Sequence, residues 1–376
     1  MLLNAMELKK QSRKKGKHMK IAVVGSGNGA VTAAVDMVDQ GHDVKLYCRN
    51  QSINKFDKAI EQGGFNFYNE GKESFVNFTN ISDDMAYVLE DAEIVMLCIP
   101  SSFIEYYAEL MASYTKDDQI IFFNMAAAMG SARFMKVLEE YHLDVSPVFA
   151  EANTLTYGTR VDFSTASVDL SLNVRKVYFS TFDKDDLAET FKKVEQIYPY
   201  IVKEESLWRT NLENGNPEVH PGPTLLNVGR IDYSGDFALY KEGITNHTVR
   251  LLHAVEVERL TLGRKLGFEL ETAKEARIER GYLEREMEDE PLNKLFNHSP
   301  VFSRIPGPNK VNNRYLTEDI AYGLVLWSSL GREIGVPTPN IDAIIVIAST
   351  ILERDFFNEG LTIEYLGREK VGLISY

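Results

Sequence analysis

At 376 residues with 44% hydrophobic content, the chain is long enough for two domains, each with its own buried core. A formal charge of −14, with no basic block beyond Lys9 to Lys20, excludes a general nucleic-acid binder, and no apolar run is long enough to span a membrane. Two cysteines, Cys48 and Cys98, both within apolar strand-like runs, provide neither a disulfide framework nor a zinc spacing, so a reducing, cytoplasmic setting is expected.

Residues 1–18 precede the first strand pattern and read as an extension ahead of the fold or a remnant of expression. The segment Lys20 to Asn50 then reads as strand, glycine turn, helix, strand. Ile21 to Val24 form the first strand, Gly25, Gly27 and Gly29 the turn, and Ala30 to Gln40 the helix. Val44 to Tyr47 follow as the second strand. In a dinucleotide fingerprint the first glycine allows the tight turn, the second admits the pyrophosphate, and the third position needs a small residue for helix and strand to pack. Gly25, Gly27 and Ala30 fill those places, with Asn28 and Gly29 at the helix N-terminus, where N–H groups and the macrodipole favour phosphate. After the second strand an NAD enzyme usually carries a carboxylate for the ribose hydroxyls; this chain has Arg49, with Asn50 and Ser52 nearby. Arg49 suits a 2′-phosphate, so NADP (as NADPH) is expected over NAD, although a solvent-facing arginine is the plain alternative.

The alternation continues as a doubly wound, mainly parallel sheet. Strands are expected over Glu93 to Ile99, Gln119 to Asn124, Pro147 to Ala150 and Val177 to Phe182, and helices over Phe103 to Tyr114, Ala132 to Tyr141 and Asp185 to Tyr198. Pro100 and Ser101 follow the carboxyl end of their strand, the edge at which open α/β sheets bind ligands, and are expected beside the nicotinamide; Ser101 and Ser102 serve equally well as helix caps. Glu151 to Arg160, EANTLTYGTR, reads as a polar loop. The Rossmann domain is thus placed at residues 19–204, and an all-α domain at 205–376, with a cleft between them.

In the second domain, long helical patterns cover Ile244 to Leu266, Phe268 to Glu288, a stretch N-capped at Thr317 and running to about Ile334, and Asn340 to Arg354. Its most unusual stretch is Asn214 to Asp232. Pro217, Pro221 and Pro223 restrict φ around His220, ahead of a helix from about Thr224 whose Leu225, Leu226 and Val228 face a core. Asn216 and Asn227 offer amides on either side, which suits a polar ligand against an apolar wall. A histidine held this way serves as a proton shuttle or simply caps a helix.

These residues resemble the octopine/nopaline dehydrogenase group, the opine dehydrogenases that include N-(1-carboxyethyl)-norvaline dehydrogenase. The likeness spans nearly everything after Met19. Its most specific parts are NPxxHPxxxLLNxG, from Asn216 to Gly229, and RYLTED followed by GLVLWSSLGREIGVPTP, within Arg314 to Pro339. The resemblance implies a helical second domain of the 6-phosphogluconate-dehydrogenase type and a catalytic dyad of His220 and Asp319. The activity it implies is reductive condensation of an L-amino acid with an α-keto acid such as pyruvate, driven by NAD(P)H. In that reaction the amine must lose a proton to attack and the carbonyl oxygen must leave as water; an imidazole, which titrates close to neutrality, serves both steps. Asp319 would orient the ring, Arg314 would clamp a substrate carboxylate, and Asn216, Asn227, Thr154 and Thr156 are further candidates for substrate contacts. Capping is the alternative role for Glu318 and Asp319. The partners expected are small molecules only, without nucleic acid, membrane or metal, and a homodimer is compatible with this reading. Two other functions stand beside it. One is an NADPH-dependent reductase of a single keto acid or phosphorylated ketone, against which His220 stands where those enzymes usually use lysine; the other is a non-catalytic dinucleotide sensor.

Overall fold

A computed structural model describes residues 18–373; the 1–18 extension lies outside the described residues except for His18. Two compact units divide between Thr210 and Asn211.

In the first unit the strands are β1 (Lys20–Val24), β2 (Asp43–Tyr47), β3 (Phe65–Asn69), β4 (Lys72–Val76), β5 (Ile81–Ser82) and β6 (Ile94–Leu97). They continue as β7 (Ile120–Phe123), β8 (Val148–Ala152), β9 (Tyr157–Asp162), β10 (Ser167–Asn173), β11 (Val177–Thr181) and β12 (Ile201–Lys203). Eight of them form one sheet in the order β12-β11-β8-β7-β6-β1-β2-β5. Every pair in it is parallel except β8 with β11. The central strands β6 and β7 are buried at every position, as their uninterrupted runs IVML and IIFF require when both faces are covered. Phe123, Phe134 and Phe149 pack together on one side of this sheet, each buried phenyl contributing roughly 1.5–3 kcal/mol through the hydrophobic effect. This is the doubly wound α/β domain expected from the sequence.

A second sheet, β4-β3-β10-β9, was not expected. It takes in the second half of EANTLTYGTR, so that stretch is no simple loop: Tyr157–Asp162 pairs antiparallel with Ser167–Asn173. The signal was a short one, with Val168, Leu170 and Leu172 buried on alternate positions of a polar strand. Strand β9 lies against the first helix, Asn28–Asp39, where Thr32 Oγ1 meets Thr159 Oγ1 at 2.6 Å and the Val161 amide donates to Asn28 Oδ1 at 3.3 Å.

The second unit is helical. Asn246–Lys265 forms its longest helix, with Thr245 accepting from the Thr248 amide as N-cap. Phe268 to Glu288 is not one helix: Thr272 and Glu275 make a capping box for Ala273–Glu279, and the chain then turns at Gly281 with φ +84°. Pro339–Leu352 begins with proline in its first turn, where no N–H is missed. Val219, Tyr240, Leu252, Phe296 and Phe302 share one core. Among the described residues no helix is long and apolar enough to cross a membrane.

Candidate active site

The glycine turn fits a dinucleotide pyrophosphate. Gly25 has φ +131°, and a Cβ there would stand 2.6 Å from the Cys98 carbonyl oxygen, so only glycine lets β1 turn this tightly against the neighbouring strand. Gly27 caps the helix Asn28–Asp39, and a Cβ on it would meet nothing within 4 Å. That leaves room for phosphate at the positive end of the helix. Ala30 is fully buried behind the turn, and the Leu155 side chain leans on Gly29. The Asn28 amide oxygen is engaged with β9, so this residue positions the turn rather than offering its side-chain acceptor outward.

At the end of β2, Arg49 places its guanidinium 5.7 Å from the Phe103 ring centroid. The Asn50 amide donates to Asp83 at 2.7 Å. A second cation stands here that sequence reading passed over: Lys55 donates to the Ser26 carbonyl within the glycine turn, and its ammonium lies 4.6 Å from the Phe163 ring centroid. Burial holds the Lys55 pKa below its ordinary value, and the nearby Arg49 charge pushes the same way, against the Cys48 thiol. Among the described residues neither cation has a carboxylate partner. No local signal in NQSINKF marked Lys55; only the fold of Asn50–Phe56 brings it back to the turn.

Pro100 leads the turn Ser101–Phe103 after β6. Ser101 is buried: its hydroxyl donates to the Ala126 carbonyl at 3.4 Å, and its own carbonyl accepts from Arg133 at 2.8 Å. Arg133, fully buried, also makes a two-point contact with Glu105 and so pins this turn from beneath. Thr154 and Thr156 belong to this first unit. Thr156 faces inward, accepting from the Asn124 amide at 2.9 Å while its own amide donates to Asn124 at 3.1 Å. Thr154 is half-buried, with no side-chain hydrogen bond among the described residues.

The second unit carries the histidine. His220 joins two short helices, Asn216–Val219 and Pro221–Leu226, so the helix begins at Pro221 rather than Thr224. Leu226 does not face a core; it is 57% exposed, and Pro221 to Thr224 are buried instead. The irregular path is held from below by three buried arginines bonded to carboxylate and backbone carbonyl groups. Glu218 accepts from Arg259 Nε at 2.7 Å, Arg277 donates to the Gly215 carbonyl at 3.0 Å, and Arg280 to the Glu213 carbonyl at 3.0 Å. Removing one member of such a buried set costs about 3–5 kcal/mol, which keeps the His220 backbone in place.

Asp319 arrives on an unusual element. The sequence placed it in the first turn of a long helix capped by Thr317; instead Asn313 caps a single turn, Arg314–Thr317, accepting from the Tyr315 amide. A π-helical turn, Asp319–Leu324, follows before the regular helix Val325–Ile334. Such turns are rare and frequent at functional sites. The π-turn packs on the histidine segment itself: a Cβ on Gly323 would stand 2.2 Å from Pro217 Cγ. Glycine at that position is what allows the two segments to approach.

Across this contact His220 Nδ1 and Asp319 Oδ2 are 2.7 Å apart, with side-chain exposures of 12% and 11%. The other ring nitrogen, Nε2, lies 2.7 Å from the Tyr240 hydroxyl, and the Tyr315 ring stacks on the imidazole at 4.0 Å between centroids. Tyr240 sits on a second π-helical turn, Leu239–Gly243. Both tyrosines were missed from sequence. Tyr315 stood inside RYLTED and was passed over for its neighbours, whereas Tyr240, 20 positions beyond His220, gave no motif to find.

The other expected substrate contacts separate by environment. Arg314 is exposed at 67% of its side chain and pairs with Glu318 at 3.0 Å. Asn227 spends both amide donors on the carbonyls of Pro223 and Gly243, at 2.8 and 3.2 Å, and so braces the fold. The Asn216 side chain is half-buried and makes no hydrogen bond among the described residues. Among the described residues no cluster of acidic, histidine and cysteine side chains could hold a metal.

Comparison with known proteins adds two domain matches. Residues 203–352 match the family model for the alpha-helical domain of NAD/NADP octopine/nopaline dehydrogenase, and residues 20–141 match the N-terminus of NAD-dependent glycerol-3-phosphate dehydrogenase. The chain is similar to an opine dehydrogenase of Arthrobacter sp. (strain 1C), 27% identical over 350 residues, covering 92% of this chain and 94% of the relative. An octopine dehydrogenase structure with NADH and L-arginine superposes with a TM-score of 0.74 at 18% identity, over 94% of this chain and 96% of that one. A yersinopine dehydrogenase with NADP+ bound gives a TM-score of 0.65 at 15% identity, over 94% of each chain. These two structural likenesses speak for the fold.

Proposed function

The chain belongs to the octopine/nopaline (opine) dehydrogenase family, NAD(P)-dependent oxidoreductases acting on CH–NH donors, and on that footing we propose how its own residues carry out the reductive condensation. The observation that carries the reading is the 2.7 Å contact between His220 Nδ1 and Asp319 Oδ2. With the carboxylate accepting from Nδ1–H, the lone pair of the neutral imidazole is on Nε2, the tautomer a general base requires. His220 takes a proton from the substrate ammonium, freeing the amine to attack the keto carbon. It returns a proton to the hydroxyl of the resulting carbinolamine, which leaves as water. Asp319 holds the ring in one orientation through both events and stabilises the imidazolium between them. Arg314 extends its exposed guanidinium to a substrate carboxylate, with Glu318 steadying one edge. Asn216 and Thr154, whose side chains make no hydrogen bond among the described residues, are offered for polar contacts to the substrates.

The hydride that converts the imine to a secondary amine would come from the reduced nicotinamide when it is bound. Gly25, Gly27 and the helix from Asn28 would hold its pyrophosphate, with Pro100 and Ser101 as the residues offered to the nicotinamide. Arg49 and Lys55 together favour NADPH, because two cations without a carboxylate suit a 2′-phosphate and no acidic residue ends β2 to take the ribose hydroxyls. The product is a secondary-amine dicarboxylate formed from an L-amino acid and a pyruvate-like keto acid, in a cytoplasmic setting that keeps Cys48 and Cys98 reduced.

Mass analysis of an incubation with NADPH, pyruvate and a set of L-amino acids tests this. Condensation with reduction yields a compound with the summed mass of both substrates less one oxygen. Formation of the 2-hydroxy acid alone would assign the enzyme to single-substrate reduction.

A further inference from the structure

Both nitrogens of His220 are already occupied. Nδ1 faces Asp319, and Nε2, which has one in-plane lone pair, faces the Tyr240 hydroxyl at 2.7 Å. One ring face is covered by Tyr315. A substrate proton therefore has no direct approach to Nε2 unless Tyr240 moves aside, and Tyr240 is clamped. It is 3% exposed, it stacks on Phe302 at 4.6 Å and Phe296 at 5.7 Å, and its carbonyl accepts from the Asn297 amide at 2.8 Å. Tyr315, whose side chain is only half-buried, is the other aromatic ring set on this imidazole, and it bears electrostatically on the Tyr240 hydroxyl.

From this geometry we propose that His220 exchanges its proton with substrate through a two-tyrosine relay, Tyr240 Oη and then Tyr315 Oη. The proposal rests on the reading of His220 as the proton-handling group and names the route by which it is reached. When the amine is deprotonated, Tyr315 takes the ammonium proton as it passes its own to Tyr240, and Tyr240 passes its own to Nε2. One N–H breaks on the amine, one N–H forms on the imidazole, and each hydroxyl ends with one proton. Run backward, the same chain delivers a proton to the carbinolamine hydroxyl, which departs as water. No oxidant or further reactant enters.

A relay of this kind needs hydroxyls that stay protonated, since only the neutral group donates and accepts at once. Burial raises the Tyr240 pKa well above its ordinary value, with the Tyr315 and Asp319 charges acting the same way and the Arg277 guanidinium against them. Among the described residues these groups, with His220, are the titratable neighbours that bear most on the relay.

The test replaces the hydroxyls and keeps the rings. Tyr240→Phe should lower the single-turnover rate by about 10², the range of one lost proton-transfer partner, with NADPH affinity and melting temperature close to wild type. In wild type the rate should depend on solvent deuterium content as a curve, reporting several protons in flight. Tyr315→Phe should lower the rate less, through water replacing the lost hydroxyl, and should straighten that curve. A Tyr240→Phe enzyme within twofold of wild type, with the curve unchanged, overturns the relay. If that protein does not fold, Tyr315→Phe decides alone: an unchanged rate and curve overturn the relay, and a slower rate with a straightened curve supports it. His220→Ala separates the two layers of the argument. An inactive His220→Ala beside a normal Tyr240→Phe removes the relay but keeps the base, whereas an active His220→Ala removes both.

Discussion

Replacing Asp319 by asparagine tests the dyad with little change in shape. The carboxylate meets His220 Nδ1 at 2.7 Å, with both side chains only about one-ninth exposed, so solvent screens the contact weakly. A hydrogen bond to a charged partner is worth roughly 1.5–3 kcal/mol, and its replacement by a neutral amide carbonyl costs about 10- to 100-fold in stabilising the imidazolium. The amide can also present its NH2 to Nδ1. That orientation fixes the wrong tautomer, with the proton on Nε2, and a loss on the order of 10⁴ is then expected. The predicted fall in kcat for Asp319→Asn is therefore about 10² to 10⁴. NADPH affinity, measured by cofactor fluorescence, should stay within about twofold of wild type, because the glycine turn and Arg49 are untouched. Asp319 makes no side-chain bond to a helix amide in its π-turn; Asn313 does that work for the turn before it. The melting temperature should accordingly change little. An Asp319→Asn enzyme with normal turnover and a lower melting temperature would refute the reasoning and return Asp319 to a structural role.

Three further outcomes are expected. Wild-type enzyme should show higher kcat/KM with NADPH than with NADH, and Arg49→Ala and Lys55→Ala should each lower that ratio by about 10- to 100-fold; equal values in the unaltered enzyme would contradict the two-cation reading. Tyr157, Tyr198 and Tyr240 are held protonated well above the ordinary tyrosine range, chiefly by burial. Their contribution to stability is complete below the unfolded value of about 10 and is lost as pH rises beyond it, so melting temperature should fall steeply above pH about 10, with part of the phenolate absorbance appearing only on unfolding. Titration of every tyrosine with the fold intact would count against that. Condensation should slow at acidic pH, where the attacking amine is protonated, and the reverse oxidation should gain at alkaline pH; initial rates in both directions across the same buffers check it.

Much of the first unit was legible because its signals are local. Gly25 and Gly27 follow a strand and open a helix within a few residues, and IVML and IIFF could only be strands buried on both faces. The second sheet escaped because its two hairpins, β3-β4 and β9-β10, are built from short, half-polar strands, and the β3–β10 pairing that joins them links segments far apart in the chain. In the second unit the limit was different. Helical periodicity of 3.6 carries no mark for a π-turn, so Thr317 was read as the cap and Asp319 as an ordinary first-turn acid. His220 and Asp319 are 99 positions apart, and only family resemblance joined them in sequence. Tyr240 and Lys55 are set by tertiary path alone, the one on a π-turn in the aromatic core, the other folded back onto Ser26.

The central claim is that turnover needs two organic substrates at once. Initial rates of NADPH oxidation should be measured with pyruvate alone, with each L-amino acid alone, and with the pair. The account predicts negligible oxidation with either partner by itself and rapid, saturable oxidation with the right pair. Steady oxidation with a keto acid alone, unchanged by any added amino acid, would contradict it.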